Sequence, residues 1–273
     1  MNSNMEVCAE GLKIRWLACS CFEIELPGGV KIITDPFITG SANKNFSREE
    51  IEGADYILVT HTHYDHVMDL GYLAEKFNAK ILVGMLSAYD LAAYFDLNPK
   101  HIHTVTDGQI FSFANCTIQT FFGKHVDLPY SLSRLGKELA EKNGLAGMER
   151  VNNNGSLEFV SYLITLKNNL RILFWGGKIV DEQYKRLQNC RPNLALMQIP
   201  GHSQTALAQF INYLGPQIVI PHHHDSLAKN GTAAVDQYLD DLAKEMAINA
   251  PLSMLLKPNM GQWYEVKLTV KAV

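Results

Sequence analysis

Four side chains able to hold a metal ion fall within six residues, in the run His61-x-His63-x-Asp65-His66. Neutral imidazole and carboxylate oxygen suit zinc, and they also suit manganese or iron. A solitary histidine is more often a satisfied structural residue, but three histidines and an aspartate this close are hard to read as a polar loop. A divalent ion held here would lower the pKa of its water from about 15.7 towards about 7, giving hydroxide at neutral pH. Such a nucleophile attacks carbonyl or phosphoryl centres.

The elements around the motif explain how it is positioned. Tyr56–Thr60 is a continuous apolar run that ends where the motif begins, the pattern of a strand buried on both faces. In extended chain His61 and His63 point the same way, because side chains alternate with a period of two. Asp65 and His66 fall at the start of a helix marked by Val67, Leu70, Leu73, Ala74 and Phe77. Ala79–Val83 reads as the next buried strand, and this strand–helix–strand order implies a right-handed crossover between parallel strands. The motif then sits at the carboxyl end of a sheet, where open α/β sheets place their sites.

Upstream, Leu12–Leu17, Cys21–Leu26 and Val30–Thr34 read as strands, the last two joined by a Pro27-Gly28-Gly29 turn. Downstream, strand-like runs (Ser161–Leu166, Arg171–Trp175, Leu194–Ile199, Gln217–Pro221, Met254–Leu256, Tyr264–Val270) mix with helical ones (Val180–Leu187, Thr205–Leu214, Ala233–Met246). Two mixed sheets face to face with helices outside would bury all of them. The expectation is an α/β four-layer αββα sandwich formed as one domain over residues 1–273. The exception is Asp127–Gly155, polar and rich in Asn and Gly, with a helix predicted at Leu132–Lys142. It reads as an insertion on the substrate side, with Tyr130, Arg134 and Arg150 as candidate substrate contacts.

With its buried strand and following helix, the His motif resembles that of the metallo-β-lactamase superfamily of hydrolases. Thr34-Asp35-Pro36-Phe37 is similar to a short acidic turn in the lactonase and phospholipase-D-like branch, which includes the ascorbate-phosphate lactonases. The resemblance runs from Trp16 to about His223. It implies two metal positions. His61 and His63 would hold one ion, joined by a His after a later strand, which His125 supplies. Asp65 and His66 would hold the other, joined by a His near the end of the second half. Pro221-His222-His223-His224 offers three candidates, and the spacing favours His223. Asp35 is expected to orient a ligand histidine. Asp65 would otherwise orient the water and accept its proton, and His202 is a candidate acid for the leaving group.

Two positions depart from the family pattern. A Gly-Asp pair whose aspartate bridges both metals would follow Arg171–Trp175; here the chain reads Gly176-Gly177-Lys178. The Gly-His-Ser-like turn reads Ala18-Cys19-Ser20, so Cys19 stands in place of a histidine. Without the bridge, two divalent ions and a hydroxide answered only by Asp65 leave excess positive charge, and an inward Lys178 would add to it. Expected consequences are one tightly bound ion, with zinc first and manganese or iron as alternatives, and a weaker second position. Asp181 could swing in as a substitute ligand, or an anionic substrate could supply the missing charge.

Composition narrows the classes further. A net charge of −4 and a pI of about 6.2 argue against a nucleic-acid clamp, which needs clustered Lys and Arg, but not against a small anionic substrate. Five cysteines (Cys8, Cys19, Cys21, Cys116, Cys190) without a Cys-x-x-Cys suggest thiols in a reducing cytoplasm. The N-terminus lacks a signal-peptide pattern, and no run reaches the ~18 apolar residues of a membrane span. The expectation is a cytoplasmic hydrolase of a small, anionic ester, lactone or phosphodiester, with no nucleic-acid partner, no membrane insertion and self-association left open. A metal-binding or ligand-sensing protein descended from such an enzyme is the alternative that Gly177 keeps open. A di-iron oxidoreductase on the same fold is disfavoured by the lost bridge.

Overall fold

Runs that are apolar on both strand faces need a layer on each side, and the chain supplies both. The computed structural model describes residues 6–8, 11–41, 45–126, 132–224, 227, 232–267 and 269–271. The first half forms β1 (Glu6–Cys8), β2 (Leu12–Ala18), β3 (Cys21–Glu25), β4 (Lys31–Thr34), β5 (Tyr56–Leu58), α1 (Tyr64–Val67), α2 (Leu70–Phe77), β6 (Lys80–Gly84), α3 (Met85–Phe95), β7 (Ile102–Val105), β8 (Ile110–Ser112) and β9 (Cys116–Gly123). The second forms α4 (Leu132–Lys142), α5 (Glu149–Gly155), β10 (Phe159–Leu166), β11 (Arg171–Trp175), α6 (Asp181–Leu187), β12 (Leu194–Gln198), α7 (Gln204–Leu214), β13 (Ile218–His222), α8 (Thr232–Asn249), β14 (Met254–Leu255), β15 (Tyr264–Val266) and β16 (Thr269–Lys271).

Two seven-stranded mixed sheets result, ordered β15-β2-β3-β4-β5-β6-β7 and β14-β13-β12-β11-β10-β9-β8; β1 and β16 pair separately. Parallel pairing of β4, β5, β6 and β7 in the first sheet is mirrored by β11, β12, β13 and β14 in the second. Strand alternation sorts the core into three apolar layers. Ile14, Phe22, Ile32, Leu58 and Leu82 meet Tyr162, Ile164, Phe174 and Leu196 between the sheets. Ile33, Ile57, Val59 and Ile81 face Leu70, Leu73 and Leu91 of the first helical layer. Leu173, Ala195 and Met197 face Leu207, Phe210, Ile211 and Leu242 of the second. This is the expected αββα sandwich.

Three details differ from the sequence reading. The helix α3 was not anticipated, because it exposes Met85, Leu86 and Tyr89 while burying Ser87, Ala88 and Leu91, so its apolar residues mark no single face. Within the 127–155 insertion, α5 is a second helix, hidden by its Asn-rich sequence. The terminal run splits: β15 pairs with β2, whereas β16 pairs with β1.

Candidate metal centre

The strand β5 ends at Leu58, the chain bends at Thr60, and His63 is extended (φ −65°, ψ 150°) before α1 makes a single turn. That geometry brings His61 and His63 to one side, with ring centroids 4.6 Å apart, and puts Asp65 and His66 into the first helical turn. The two sheets are joined here, since Val160 N at the start of β10 donates to Thr60 O at 2.8 Å. His125 follows β9 and completes a triangle, its ring 4.8 Å from that of His61 and 4.6 Å from that of His63. His223 follows β13 and lies 5.1 Å from the ring of His66.

The histidine-rich corner after β13 resolves by conformation. His222 ends the strand, fully buried, with Nδ1 3.0 Å from Ser20 Oγ and Nε2 3.1 Å from Trp175 O. His224 packs on the Trp16 ring at 4.4 Å. Only His223, turned into the left-handed region at φ +63°, reaches Asp65, with Nε2 3.5 Å from Oδ2. Seven non-glycine residues among those described have positive φ, and three of them (Cys19, Asp35 and His223) lie at this centre. Backbone strain gathered at one place is characteristic of functional sites.

Hydrogen bonds decide which nitrogens face inward. The Asp35 carboxylate is buried and accepts from Thr60 N (2.7 Å), Thr60 Oγ1 (2.6 Å) and His66 Nδ1 (2.7 Å). Because Thr60 Oγ1 gives its proton to Asp35, it accepts one from His61 Nδ1 at 3.0 Å. His125 Nδ1 donates to Val126 O at 2.7 Å. His61, His66 and His125 are thereby left with lone pairs on Nε2, while His63 engages Ser156 Oγ through Nε2 and keeps Nδ1. The ligand atoms fall into two groups, His61/His63/His125 and Cys19/Asp65/His66/His223, each with all members within 4.8 Å of one another.

Electrostatics matches this arrangement. Burial and the neighbouring imidazoles hold His61 well below its ordinary value, and burial followed by His125 pushes His63 down to about 3. His125 is lowered by burial as well. Burial alone would raise the Asp65 carboxyl, but His66, the hydrogen bond from His223 and His63 hold it well below the usual carboxylate range. His61, His63 and His125 are thus held as neutral imidazoles and Asp65 as an ionised carboxylate, the protonation states that divalent transition metals require. The donor set fits a divalent ion.

A cleft of about 210 Å³ opens above the two groups. Its walls are Tyr64, Val126, Asn152, Gln198 and Pro200, with Leu135, Gly136 and Leu139 from α4. The expected substrate contacts are another matter. Arg134 points to solvent and pairs with Glu138 at 2.7 Å; Arg150 is equally exposed and pairs with Asp90 at 3.0 Å. Neither lines the cleft, because each sits on the solvent side of its helix. Tyr130 lies outside the described residues.

Gly177 has φ +91°, and a Cβ there would meet Lys124 O at 2.7 Å, so the backbone at this position disfavours any side chain. Asp181 is exposed in the first turn of α6 and belongs to neither ligand group. Lys178 and His202 do not line the cleft either. The backbone N of Lys178 donates to Lys124 O, and His202 Nε2 lies 2.8 Å from Gly177 O with its ring against Trp175. His202 therefore braces the Gly176-Gly177 turn from behind. Sequence reasoning treated Cys19 as a missing histidine; the signal that it could be a donor was the residue type itself. Gln198 was missed altogether, being buried at the end of an apolar strand.

A family profile described as a beta-lactamase superfamily domain matches residues 13–223. A UPF0173 metal-dependent hydrolase of Cupriavidus taiwanensis is 27% identical over 229 residues, 78% of this chain and 74% of that protein. Among solved structures, Igni18, described as a novel metallo hydrolase from Ignicoccus hospitalis, superposes with a TM-score of 0.70 at 17% identity, covering 94% of this chain and 99% of that one. CmlA, a diiron beta-hydroxylase from Streptomyces venezuelae, reaches 0.61 at 12% identity over 95% of this chain and 55% of its own. At these identities both structural likenesses concern the fold alone.

Proposed function

The chain belongs to the metallo-β-lactamase superfamily, and from that membership we propose a metal-dependent hydrolase that cleaves an ester, lactone or phosphodiester bond of a small substrate. The observation behind this reading is the pair of adjacent ligand groups on a cleft floor, with outward ring nitrogens tied up and inward ones bearing lone pairs. His61, His63 and His125 would hold one ion, and Asp65, His66 and His223 would hold a second. When bound, a divalent ion acidifies water and withdraws electron density from the scissile bond.

The chain's own groups do the rest. Asp65, held ionised, binds and orients; its depressed pKa gives it little driving force as a base. Asp35 fixes His66 directly and His61 through Thr60. Val126, Leu135, Leu139 and Pro200 shield the floor from water, while Tyr64 and Gln198 offer polar groups to a substrate. No Arg or Lys lines the described cleft, so the reading does not require an anionic substrate. With Gly177 in place of a bridge, the two positions are not tied by a shared carboxylate, and each donor set determines its own affinity and metal preference, zinc, manganese and iron all being compatible with imidazole and carboxylate.

The test is a panel of chromogenic esters, lactones and phosphodiesters with metal-stripped protein to which zinc, manganese or iron is returned. Hydrolysis by the reconstituted protein, falling at least ~100-fold in His61→Ala, is the expected result. Silence across the panel with intact metal binding would favour a metal-binding or ligand-sensing protein instead.

A further inference from the structure

Cys19 occupies the turn between β2 and β3, 2% exposed and at φ +46°. Cys21, Cys116 and Cys190 behave as small apolar residues, each belonging to one of the three core layers. Cys19 belongs to none of them. Its Sγ instead lies within 4.8 Å of the ligand atoms of Asp65, His66 and His223. The turn that presents it is fixed to the segment that presents His223. Cys19 O accepts from His223 N at 2.8 Å and from Trp16 Nε1 at 2.9 Å, while Ser20 Oγ meets His222 Nδ1 and Ser20 O accepts from Thr34 Oγ1. Thiol and imidazole thus come from two backbone segments locked to each other.

We propose that Cys19 is a metal ligand, completing a Cys19/Asp65/His66/His223 donor set at the second position; the inference rests on the reading of the protein as metal-dependent. As the Sγ–metal bond forms, the S–H proton leaves to solvent. Charge favours this assignment. Gly177 stands where the family resemblance expects a carboxylate shared by both ions, and a thiolate restores one negative charge locally. Asp65 and Cys19 together neutralise a divalent ion, whereas His61, His63 and His125 supply no charge. The second position is then the anionic and softer of the two, and it selects zinc, cobalt or ferrous iron over manganese. This reverses the sequence expectation of a weak second position.

The experiment uses cobalt(II) added to the metal-free full chain. Thiolate ligation gives a sulfur-to-cobalt charge-transfer band in the near ultraviolet, beside the visible bands that nitrogen and oxygen ligands also produce. Wild type should show the band, His63→Ala should keep it, and Cys19→Ser should lose it together with the ion at that position while the visible bands of the three-histidine position remain. Cys19→His, which installs the residue of the family's turn, should bind the ion without the band. Zinc-loaded wild type should show sulfur scattering at about 2.3 Å in X-ray absorption, a readout that needs no variant. Cobalt bound by wild type without the band, or a band that persists in Cys19→Ser, overturns the Cys19 assignment alone. Failure of wild type to bind cobalt or zinc at all overturns it together with the metal-dependent reading.

Discussion

Asp35 accepts three hydrogen bonds in a fully buried setting, and through them it sets the tautomer of two histidines, one directly and one by way of Thr60. An asparagine would keep the shape and change the polarity. Its amide NH2, turned toward His66, would leave Nδ1 to accept, so the ring proton would move to Nε2, the nitrogen that faces the metal position. Asp35→Asn should therefore weaken metal binding by roughly 10–100-fold. Metal titration against a chromogenic chelator would measure this; unchanged affinity would show that His66 does not bind through Nε2. The same scale explains what a sequence conveys about single residues. His61, His63, Asp65 and His66 announce themselves by type and spacing. The spacing also favours His223 over His222 and His224, but what turns it inward is one left-handed backbone angle rather than strand alternation.

The helix α5 shows how a neighbouring element holds the motif. Asn152 Oδ1 accepts from Tyr64 N, an amide in the first turn of α1 that has no intrahelical acceptor, and Thr62 Oγ1 donates to Val151 O at 2.8 Å. At the end of α5 the packing is tighter still: a Cβ on Gly155 would lie 2.7 Å from both His63 N and Thr62 C. Those are backbone atoms and cannot swing aside. Gly155→Ala should cost about 1–3 kcal/mol by overpacking, and should displace His63, lowering metal content at the three-histidine position. Thermal unfolding and metal analysis of the purified variant would test both; a variant with wild-type Tm and metal content would mean that α5 yields easily. None of this support was legible in the sequence. The long buried strands and α2, α7 and α8 were, because continuous apolar runs and helical periodicity survive in any context. By contrast α3 and α5 bury mostly small or polar residues, and Arg134 and Arg150 were expected near the cleft only because a linear sequence does not say which side of a helix faces it.

On the scale of the whole molecule, the centre makes the metal-free protein sensitive to acid. His61, His63, His125 and His222 all have folded pKa values below the ordinary 6.5, His63 falling to about 3, in each case first through burial. In the unfolded chain these imidazoles take up protons as pH drops through about 6.5, while in the folded protein they do not. Below that pH the unfolded state binds more protons, so stability rises with pH across this window. The contribution is fully present above 6.5 and is lost progressively as pH falls towards the folded values. Each imidazole adds a slope of up to about 1.4 kcal/mol per pH unit. Asp65 acts lower down: its depressed pKa contributes stability that is present above about 3.8 and lost only below it. The Tm of protein kept in chelator should therefore be level from pH 8 to 7 and fall steeply from pH 6.5 to 5. Returning a divalent ion should shift that fall to lower pH, because an ion competes with protons for the same lone pairs. A Tm that stays level in chelator between pH 7 and 5 would mean that the folded protein takes up protons at these imidazoles as readily as the unfolded chain does, so that burial does not depress their pKa values.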